Sequence, residues 1–319
     1  MAELCDTFPI VCVVGPTASG KTGLSVQLAK HFNAEIVSCD SMQLYKDMNI
    51  GTAKPTLEEM DGVKHHLIDF LNPEDEFSLK DYITLAKEKI AEIISRGGKV
   101  ILTGGTGLYY SSLINGIEIA PIESSLELRE EFSELYDQIG GEEMLLKMAE
   151  FDKPLSEKLH ANDKNRIVRA FEVFHQTGTP LSEHQRISRI HESPFKACVI
   201  GLDYSRRETL YERINKRVDI MLNSGLLDEA QKLFERNLSH TASQAIAYKE
   251  LFPYFKGEKS LDECIEFLKM QSRRYAKRQL TWFRRDEKIN WIQADECDNV
   301  FERAVSIISE SEIFKEGAV

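Results

Sequence analysis

Short apolar runs recur along the first third of the chain and again near residue 200. They cover residues 10–14, 36–39, 66–70, 99–103 and 197–202. Helical patterns separate the early runs, and residues 79–94 show the three-to-four-residue spacing of an amphipathic helix. Strands that alternate with helices indicate a parallel sheet with helices on both faces. The first part of the chain is therefore predicted to be an α/β domain.

The pattern changes between about residues 119 and 195, where Glu and Leu dominate and β-branched runs disappear. The strand pattern resumes at Ala197, and the chain is again mostly helical from Ser205, with one late strand candidate at residues 289–292. We predict a core formed by residues 1–118 and 196–319. An all-helical insertion over residues 119–195 interrupts this core, and the C-terminal region is helical.

The composition is that of an ordinary globular protein, with 42% hydrophobic and 29% charged residues in a chain of 319. The first residues lack the basic and apolar regions of a secretory signal, and no run approaches the roughly 20 apolar residues of a membrane span. We expect a cytoplasmic protein without a membrane partner. Nothing in the pattern suggests an obligate oligomer, so a monomer is expected.

Charge is distributed unevenly along the chain. The formal net charge is −12, yet residues 269–288 hold eight Lys or Arg and two Asp or Glu, a local net charge of +6. On a helix these cations occupy one side, and Trp282 lies among them. A one-sign cluster favours a surface for a phosphate backbone over a merely solvated face. A weaker basic cluster in the insertion consists of Lys158, Lys164, Arg166 and Arg169.

Residues 15–22, GPTASGKT, match the pattern G-x-x-x-x-G-K-[ST] of a phosphate-binding loop. The apolar run 10–14 precedes them, and apolar residues at helical spacing follow, which is the strand–loop–helix order that the motif requires. Backbone amides at the helix N-terminus and the Lys21 side chain would bind a di- or triphosphate. The hydroxyl of Thr22 would face Mg²⁺.

Two more segments follow predicted strands and should face the same crevice. Asp40 could bind Mg²⁺ through water, act as a general base, or merely cap a helix. The fourth strand runs into residues 104–109, GGTGLY, without the Asp that an ATPase usually places there, although Asp69 is a weak rival for that role. Arg213 and Arg217 share a helix face, and either could reach the phosphates or simply pair with neighbouring acids.

With these residues assembled, the chain resembles the bacterial type of the tRNA dimethylallyltransferase (tRNA isopentenyltransferase) family. Matching segments run in order over about 270 residues. They are residues 15–22, residues 40–43 with Tyr45, residues 50–55 (IGTAKP), residues 104–109, Asn162 and Asp163 with Arg166 and Arg169, residues 245–250 (AIAYKE) and residues 275–284 (YAKRQLTWFR).

The resemblance implies a P-loop NTPase-like fold whose helical insertion grips the tRNA anticodon stem-loop. It implies transfer of a dimethylallyl group from dimethylallyl diphosphate to the N6 amine of adenosine 37 in tRNA, with Mg²⁺ as cofactor. ATP could also occupy the loop. Because the target adenine must leave its stack, a single-stranded loop is a suitable substrate.

The resemblance also implies roles for individual residues. Asp40 matches the general base, Arg217 matches an arginine that steadies the leaving diphosphate, and Lys21 and Thr106 complete the catalytic set. The diphosphate would be held by Gly15, Pro16, Thr17, Ala18, Ser19, Gly20, Lys21 and Thr22. The tRNA would contact Asp40, Ser41, Met42, Gln43, Thr106, Arg129, Asn165, Arg166, Ile167, Val168, Arg169, Gln244, Ala245, Ile246, Ala247, Tyr248, Lys249, Lys277, Arg278, Gln279, Leu280, Thr281, Trp282, Phe283 and Arg284.

Three positions depart from the family pattern, which commonly has Gly at 47, Asp at 49 and Gly at 247 where this chain has Asp47, Asn49 and Ala247. Three alternatives remain open at this level. One is prenyl transfer to a free adenine nucleotide, another is a P-loop kinase of small molecules, and the third is a nucleotide-gated RNA-binding module. The missing acid after the fourth strand and the basic segment argue against the kinase.

Overall fold

The computed structural model describes residues 7–119, 122, 125–190, 192–311, 313 and 314. These residues separate into two compact units, one formed by Met1–Ile114 with Pro194–Val319 and the other by Asn115–Ser193. No helix in the described ranges combines the length and hydropathy that a bilayer span requires.

A six-stranded parallel sheet forms the centre of the first unit. Its strands are β1 (Phe8–Val14), β2 (Ala34–Ser38), β3 (His65–His66), β4 (Lys99–Gly104), β5 (Phe195–Asp203) and β6 (Ile289–Gln293). They lie in the order β3-β2-β4-β1-β5-β6, and every pairing is parallel. The predicted α/β fold class is confirmed. Because β1 lies between β4 and β5, the chain changes direction across the sheet at this strand, which is where open α/β sheets bind ligands.

Helices cover this sheet and form most of the C-terminal half of the first unit. They are α1 (Lys21–Phe32), α2 (Leu57–Met60), α3 (Leu79–Ser95), α4 (Gly107–Ile114), α9 (Arg207–Asn223), α10 (Leu226–Phe234), α11 (His240–Ser243), α12 (Phe252–Phe255), α13 (Leu261–Phe283) and α14 (Val300–Glu310). The helix α13 begins with a capping box between Ser260 and Glu263. It ends at Phe283, so the basic segment 269–288 is helical only in its first part.

The predicted strand over residues 66–70 is wrong in its extent. Only His65 and His66 pair with β2. Leu67 and Asp69 have φ values of 56° and 57°, which lie in the left-handed region and cannot continue a strand. The apolar residues of this run lie in a loop, where Leu67 and Ile68 are half-buried and Phe70 is exposed. A short apolar run therefore does not by itself require a buried strand.

The second unit is helical in its described residues. Its helices are α5 (Leu126–Ala149), α6 (Lys153–Ser156), α7 (Lys164–Thr177) and α8 (Leu181–Ile187). The helix α5 is interrupted at Gly140, whose φ of 82° and ψ of 160° are not helical. A core that includes Phe132, Met144 and Phe171 is buried between α5 and α7.

Glycine allows two loops at the carboxyl edge of the sheet to approach each other closely. A Cβ atom placed on Gly104, the last residue of β4, would lie 2.0 Å from the backbone oxygen of Cys39. The amide of Cys39 in turn donates to the oxygen of Thr103 at 2.6 Å. Any larger residue at position 104 would force the segment that carries Asp40 away from β4.

We therefore expect Gly104→Ala to lower the free energy of unfolding by about 1–3 kcal/mol, because the added methyl overpacks a backbone contact. Urea denaturation of the purified variant would measure this change. The matched control is Gly23→Ala in α1, where an added Cβ meets nothing within 4 Å. Equal free energies of unfolding for the two variants would show that the close approach at Gly104 does not limit the size of the residue there.

Candidate active site

A cavity of about 290 Å³ lies in the first unit, beyond the carboxyl ends of β1, β2 and β4. Segments that are distant in sequence line it together, including the phosphate loop, the segment after β2, and helices α9 and α13. Among the described residues, Asp40 is the only acidic side chain in the lining. The cationic lining residues are Lys21, Arg217, Lys249 and Arg278. One carboxylate therefore shares a small cavity with four basic side chains.

The phosphate loop occupies the turn between β1 and α1, as predicted. Gly15 has a φ of 147°, and a Cβ there would lie 2.5 Å from the oxygen of Leu202, so this position requires glycine. The Lys21 ammonium folds back over the loop and donates to the oxygen of Pro16 at 2.6 Å. Thr17, Lys21 and Thr22 line the cavity. The remaining loop residues, Ala18, Ser19 and Gly20, shape the turn behind them.

The side chain of Gln279 joins two of the loops that form the cavity. Its Oε1 accepts from the amide of Thr17 at 2.8 Å, and its Nε2 donates to the oxygen of Gly105 at 2.9 Å. Gln279 is buried on α13 and lines the cavity. Since both polar atoms of the amide are engaged, this residue fixes the phosphate loop against the end of β4. The sequence predicted an RNA contact here, and we assign Gln279 this structural connection.

Asp40 follows β2 and is held by its own chain. The amides of Met42 and Gln43 donate to its Oδ1 at 2.9 Å and 3.4 Å, which is the arrangement of an Asx turn. These are the hydrogen bonds that fix the carboxylate, and both end at the same oxygen. The other oxygen, Oδ2, accepts no hydrogen bond from the described residues.

Thr106 supports the same segment from β4. Its Oγ1 accepts from the amide of Ser41 at 3.0 Å and donates to the Oγ of Ser41 at 3.2 Å. Its amide donates to the oxygen of Cys39 at 3.2 Å. Thr106 thus bonds to the residues on both sides of Asp40. Gly104 and Gly105 line the cavity beside it.

The two arginines of α9 take different positions. Arg217 is half-buried and lines the cavity, and no carboxylate among the described residues lies within 4.0 Å of it. Arg213 is exposed and donates from Nε to the oxygen of Ala18 at 3.0 Å, so it braces the outside of the phosphate loop. The sequence left open which arginine reaches the phosphates. These positions favour Arg217.

Burial shifts the protonation equilibria of the charged groups in the cavity. Burial, together with the positive charge of Arg217, lowers the pKa of Lys21 to about 7, while Asp40 opposes this shift. Burial raises the pKa of Asp40, against the hydrogen bond from Met42 and the charge of Lys21. Burial also lowers the pKa of Arg217. A multivalent anion bound beside Lys21 and Arg217 would favour the charged form of both.

The cavity fits Mg²⁺ only as an ion that arrives with a phosphate ligand. No group of three or more His, Cys, Asp or Glu side chains in the described part of the chain could hold a metal by itself. Thr22 and Asp40 both line the cavity and supply oxygen atoms. Magnesium commonly keeps several waters and is bound by one or two protein oxygens plus substrate phosphates, which matches this donor set.

An apolar wall of the cavity was missed by the sequence analysis. Ile214, Val218 and Met221 of α9 line it together with Leu268 of α13. Their spacing of four and three residues is the signal that could have identified one helix face. The wall lies on the same helix as Arg217, so a ligand can have both an anionic and a hydrocarbon part.

The basic side chains of α13 divide into paired and unpaired groups. Lys269 pairs with Asp219 at 2.8 Å, and Arg284, beyond the helix end, pairs with Asp203 at 2.7 Å. Arg274, Lys277 and Arg278 are exposed, and no salt bridge within 4.0 Å involves them in the described ranges. Thr281 is exposed and Trp282 half-buried, whereas Leu280 and Phe283 are buried and support the helix from below.

Residues 244–249 form another wall of the cavity. Gln244, Ala245, Ile246, Ala247 and Lys249 line it, whereas the Tyr248 ring is buried behind them. Ala247 has a φ of 90°, and Asp47 has a φ of 62°. These left-handed values give a physical reason for the glycines that the family pattern commonly has at both positions. This chain adopts the left-handed conformation at both positions with residues larger than glycine.

Within the second unit, the predicted RNA-contacting residues again divide by burial. Glu172 is fully buried, and it pairs with Arg129 Nε at 2.9 Å and Arg169 Nη1 at 2.8 Å. Ile167 and Val168 belong to the buried core. Asn165 and Arg166 are exposed at the start of α7. Lys164, of the weaker basic cluster, pairs with Asp137 at 2.6 Å.

Comparisons with known proteins agree with this geometry. A family model described as IPP transferase matches residues 43–286. The tRNA dimethylallyltransferase of Acetivibrio thermocellus is 47% identical over 292 residues, which cover 91% of this chain and 93% of that protein. The tRNA dimethylallyltransferase of Bacillus subtilis is 47% identical over 284 residues, covering 89% and 90% of the two chains.

Solved structures give the same result. The tRNA isopentenylpyrophosphate transferase of Bacillus halodurans aligns with a TM-score of 0.69 at 40% identity, covering 96% of this chain and 98% of that one. A eukaryotic dimethylallyltransferase acting on tRNA aligns with a TM-score of 0.80 at 29% identity, covering 95% of this chain and 79% of that one. The site and these matches together show that the chain belongs to the IPP transferase family of tRNA-modifying enzymes.

Proposed function

We propose that this protein transfers a dimethylallyl group from dimethylallyl diphosphate to the N6 amine of adenosine 37 in tRNA. The observation that supports this most directly is that Asp40 is the single carboxylate in the cavity lining formed by the described residues. Asp40 shares the cavity with the phosphate loop, Arg217 and the apolar wall of α9. This set can accept a proton, bind a diphosphate and contain a short hydrocarbon, which are the three requirements of prenyl transfer to an amine.

The proposed reaction is a substitution at the allylic carbon. The lone pair of N6 forms a bond to C1 of the dimethylallyl group, the C1–O bond breaks, and diphosphate leaves with the electron pair. N6 loses one proton, which Asp40 Oδ2 accepts, because its Oδ1 is engaged by the amides of Met42 and Gln43. Lys21 and Arg217 stabilise the charge that develops on the diphosphate.

Mg²⁺ completes the proposed site. Thr22, which lines the cavity, would hold it together with the oxygens of the bound diphosphate. When bound, the ion neutralises negative charge on the leaving group. The protein would work as a monomer with tRNA and dimethylallyl diphosphate as its partners.

The acceptor RNA would meet the exposed basic side chains of α13 and the exposed residues of α7. Arg278 both lines the cavity and has its guanidinium 5.6 Å from the centroid of the Tyr275 ring. It therefore connects the RNA-binding face of the core to the cavity that would receive the flipped adenine. The predicted contact residues that are buried would hold the exposed side chains of α13 and α7 in place.

The direct test is incubation of the protein with dimethylallyl diphosphate, Mg²⁺ and unmodified tRNA, followed by digestion and mass spectrometry. We expect a prenylated adenosine from tRNA. Parallel reactions with AMP and ATP distinguish transfer to a free nucleotide, and ADP formation from ATP with phosphorylation of a small-molecule acceptor distinguishes a kinase. The lack of an acidic residue at the carboxyl end of β4 in the cavity lining of the described residues argues against the kinase.

Asp40→Asn should reduce the turnover number by about 10²–10⁴-fold, because an amide cannot accept the N6 proton. Single-turnover assays with tRNA would measure the loss, and binding of the prenyl diphosphate should persist. The control is Asp61→Asn, which removes an exposed carboxylate that pairs with Lys30 on the surface. A variant with more than a tenth of the normal turnover would refute the assignment of Asp40 as general base.

Lys21→Ala should weaken binding of dimethylallyl diphosphate, because it removes the ammonium that lies over the phosphate loop. Calorimetric titration with the diphosphate measures this effect, and a filter-binding assay should give an unchanged tRNA affinity. Lys30→Ala, on the exposed face of the same helix, is the matched control. Loss of tRNA binding with normal diphosphate binding would place Lys21 in the RNA surface instead.

Reversing Arg274, Lys277 and Arg278 to Glu should weaken tRNA binding and reduce its salt dependence. Each lost phosphate contact is expected to lower the slope of log affinity against log salt by about 0.7–0.9. Affinity at several salt concentrations measures the slope. A variant that exchanges Lys and Arg at the same three positions keeps the charge and should keep the slope. Equal slopes for the wild type and the reversed variant would show that this helix face is only solvated and does not contact the phosphate backbone.

A further inference from the structure

The loop formed by residues 49–53 is attached to helix α10 by one carboxylate. Glu229 accepts hydrogen bonds from the amides of Asn49 at 3.1 Å, Ile50 at 2.9 Å and Gly51 at 3.0 Å. The hydroxyl of Tyr248 donates to Oε1 of the same carboxylate at 2.6 Å. Four donors from two other segments therefore converge on a single side chain.

Three successive amides that point at one anion form a backbone nest, an arrangement that binds carboxylates and phosphates. Here the protein supplies the anion itself. No Lys or Arg among the described residues forms a salt bridge with Glu229 within 4.0 Å. The carboxylate is thus compensated by N–H and O–H dipoles, and these charge-assisted hydrogen bonds are stronger than neutral ones.

The loop is also closed on itself and packed tightly. The amide of Ala53 donates to the oxygen of Ile50 at 2.9 Å, and the Thr52 hydroxyl donates to the oxygen of Met48 at 2.6 Å. A Cβ on Gly51 would lie 2.5 Å from Cζ of Tyr248, so the backbone rests directly on this buried ring. Once Glu229 fixes three amides, little freedom remains for the carbonyl groups that follow.

Those carbonyl groups hold a side chain of the cavity. Gln43 donates from Nε2 to the oxygens of Thr52 at 3.3 Å and Ala53 at 3.1 Å. Nε2 thus has two carbonyl acceptors, whereas Oε1 forms no hydrogen bond with the described residues. Gln43 lines the cavity three residues after Asp40, together with Gly51 and Thr52. The orientation of its amide depends on the loop, and the loop depends on Glu229.

We propose that Glu229 is a positioning residue for the acceptor substrate, acting through the 49–53 loop and Gln43. It does not touch the reacting atoms. By fixing the Thr52 and Ala53 carbonyls it directs the amide of Gln43 so that an acceptor oxygen is available in the cavity. That oxygen can bind an N–H donor, such as an exocyclic amine of a base, and disfavours a carbonyl oxygen in the same place. The role in transfer rests on the proposed function.

The first experiment tests the attachment of the loop without any assay of activity. Hydrogen exchange of the Asn49, Ile50 and Gly51 amides would be compared in the wild type and in Glu229→Gln and Glu229→Ala. We expect exchange at these amides to accelerate at least tenfold in Glu229→Ala and less in Glu229→Gln, whose amide oxygen can still accept. The matched control is Asp228→Asn, an exposed neighbour on the same helix turn. Unchanged exchange in both Glu229 variants would overturn the proposal.

The second experiment asks whether the effect passes through Gln43. Glu229→Gln should lower kcat/KM for tRNA by about 10- to 100-fold, since small displacements in a site have effects of this size. The KM for dimethylallyl diphosphate should stay unchanged. In a double-mutant cycle, Glu229→Gln should have little further effect once Gln43→Ala is present, because coupled residues are not additive. A purely structural role would instead lower thermal stability without this coupling.

The results distinguish failure of the positioning role of Glu229 from failure of the proposed function. Additive losses in a folded double variant, or an altered KM for the diphosphate alone, would contradict the positioning role. If Glu229→Ala does not fold, the Glu229→Gln variant supports both measurements. If the wild-type protein does not prenylate tRNA, the proposed function and the role of Glu229 in transfer both fail. Unchanged exchange at the three amides in both Glu229 variants, with normal transfer by the wild type, overturns the positioning role of Glu229 and leaves the proposed function standing.

Discussion

The site depends above all on the parallel pairing of β1 with β4 and β5, which fixes where the loops at their carboxyl ends can meet. Residues from β1 pair with partners about 90 positions later in β4 and nearly 190 positions later in β5. Because parallel strands end at the same edge, the phosphate loop, the Asp40 segment and the glycines after β4 come together there. The contact between Gly104 and Cys39 then sets how closely they approach.

Hydrogen bonds that involve backbone groups hold the segments of this edge together, and the cations of the cavity do not take part in holding them by salt bridges to described residues. Gln279 connects the phosphate loop to β4, Thr106 holds Ser41, and backbone amides hold Asp40. Arg217 and Lys21 have no carboxylate within salt-bridge distance among the described residues. Their buried positions lower the pKa of both groups. A cavity built in this way favours a ligand that brings several negative charges, such as a diphosphate.

Outside the cavity, the basic side chains of the 269–288 segment differ in whether a carboxylate neutralises them. The chain is acidic as a whole. On the basic face of α13, Arg274, Lys277 and Arg278 form no salt bridge with any described residue, while Lys269 and Arg284 pair with Asp219 and Asp203. The paired cations stabilise the helix against its neighbours. The exposed ones remain as a compact positive face on a chain that would otherwise repel a phosphate backbone.

The role of Asp40 stays a prediction, whereas the sequence by itself determined the α/β class and the place of the glycine loop between β1 and α1. Both depend on local order along the chain: an apolar run, a glycine turn, then a helix. The sequence could not determine the end of the third strand, which positive φ values at Leu67 and Asp69 stop after two residues. It also could not show that Gln279 and Tyr248 are buried connectors. Glu229 had no signal at all, since its partners are amides about 180 residues away. A backbone amide has the same chemistry at every position, so only the tertiary structure decides which carboxylate it meets.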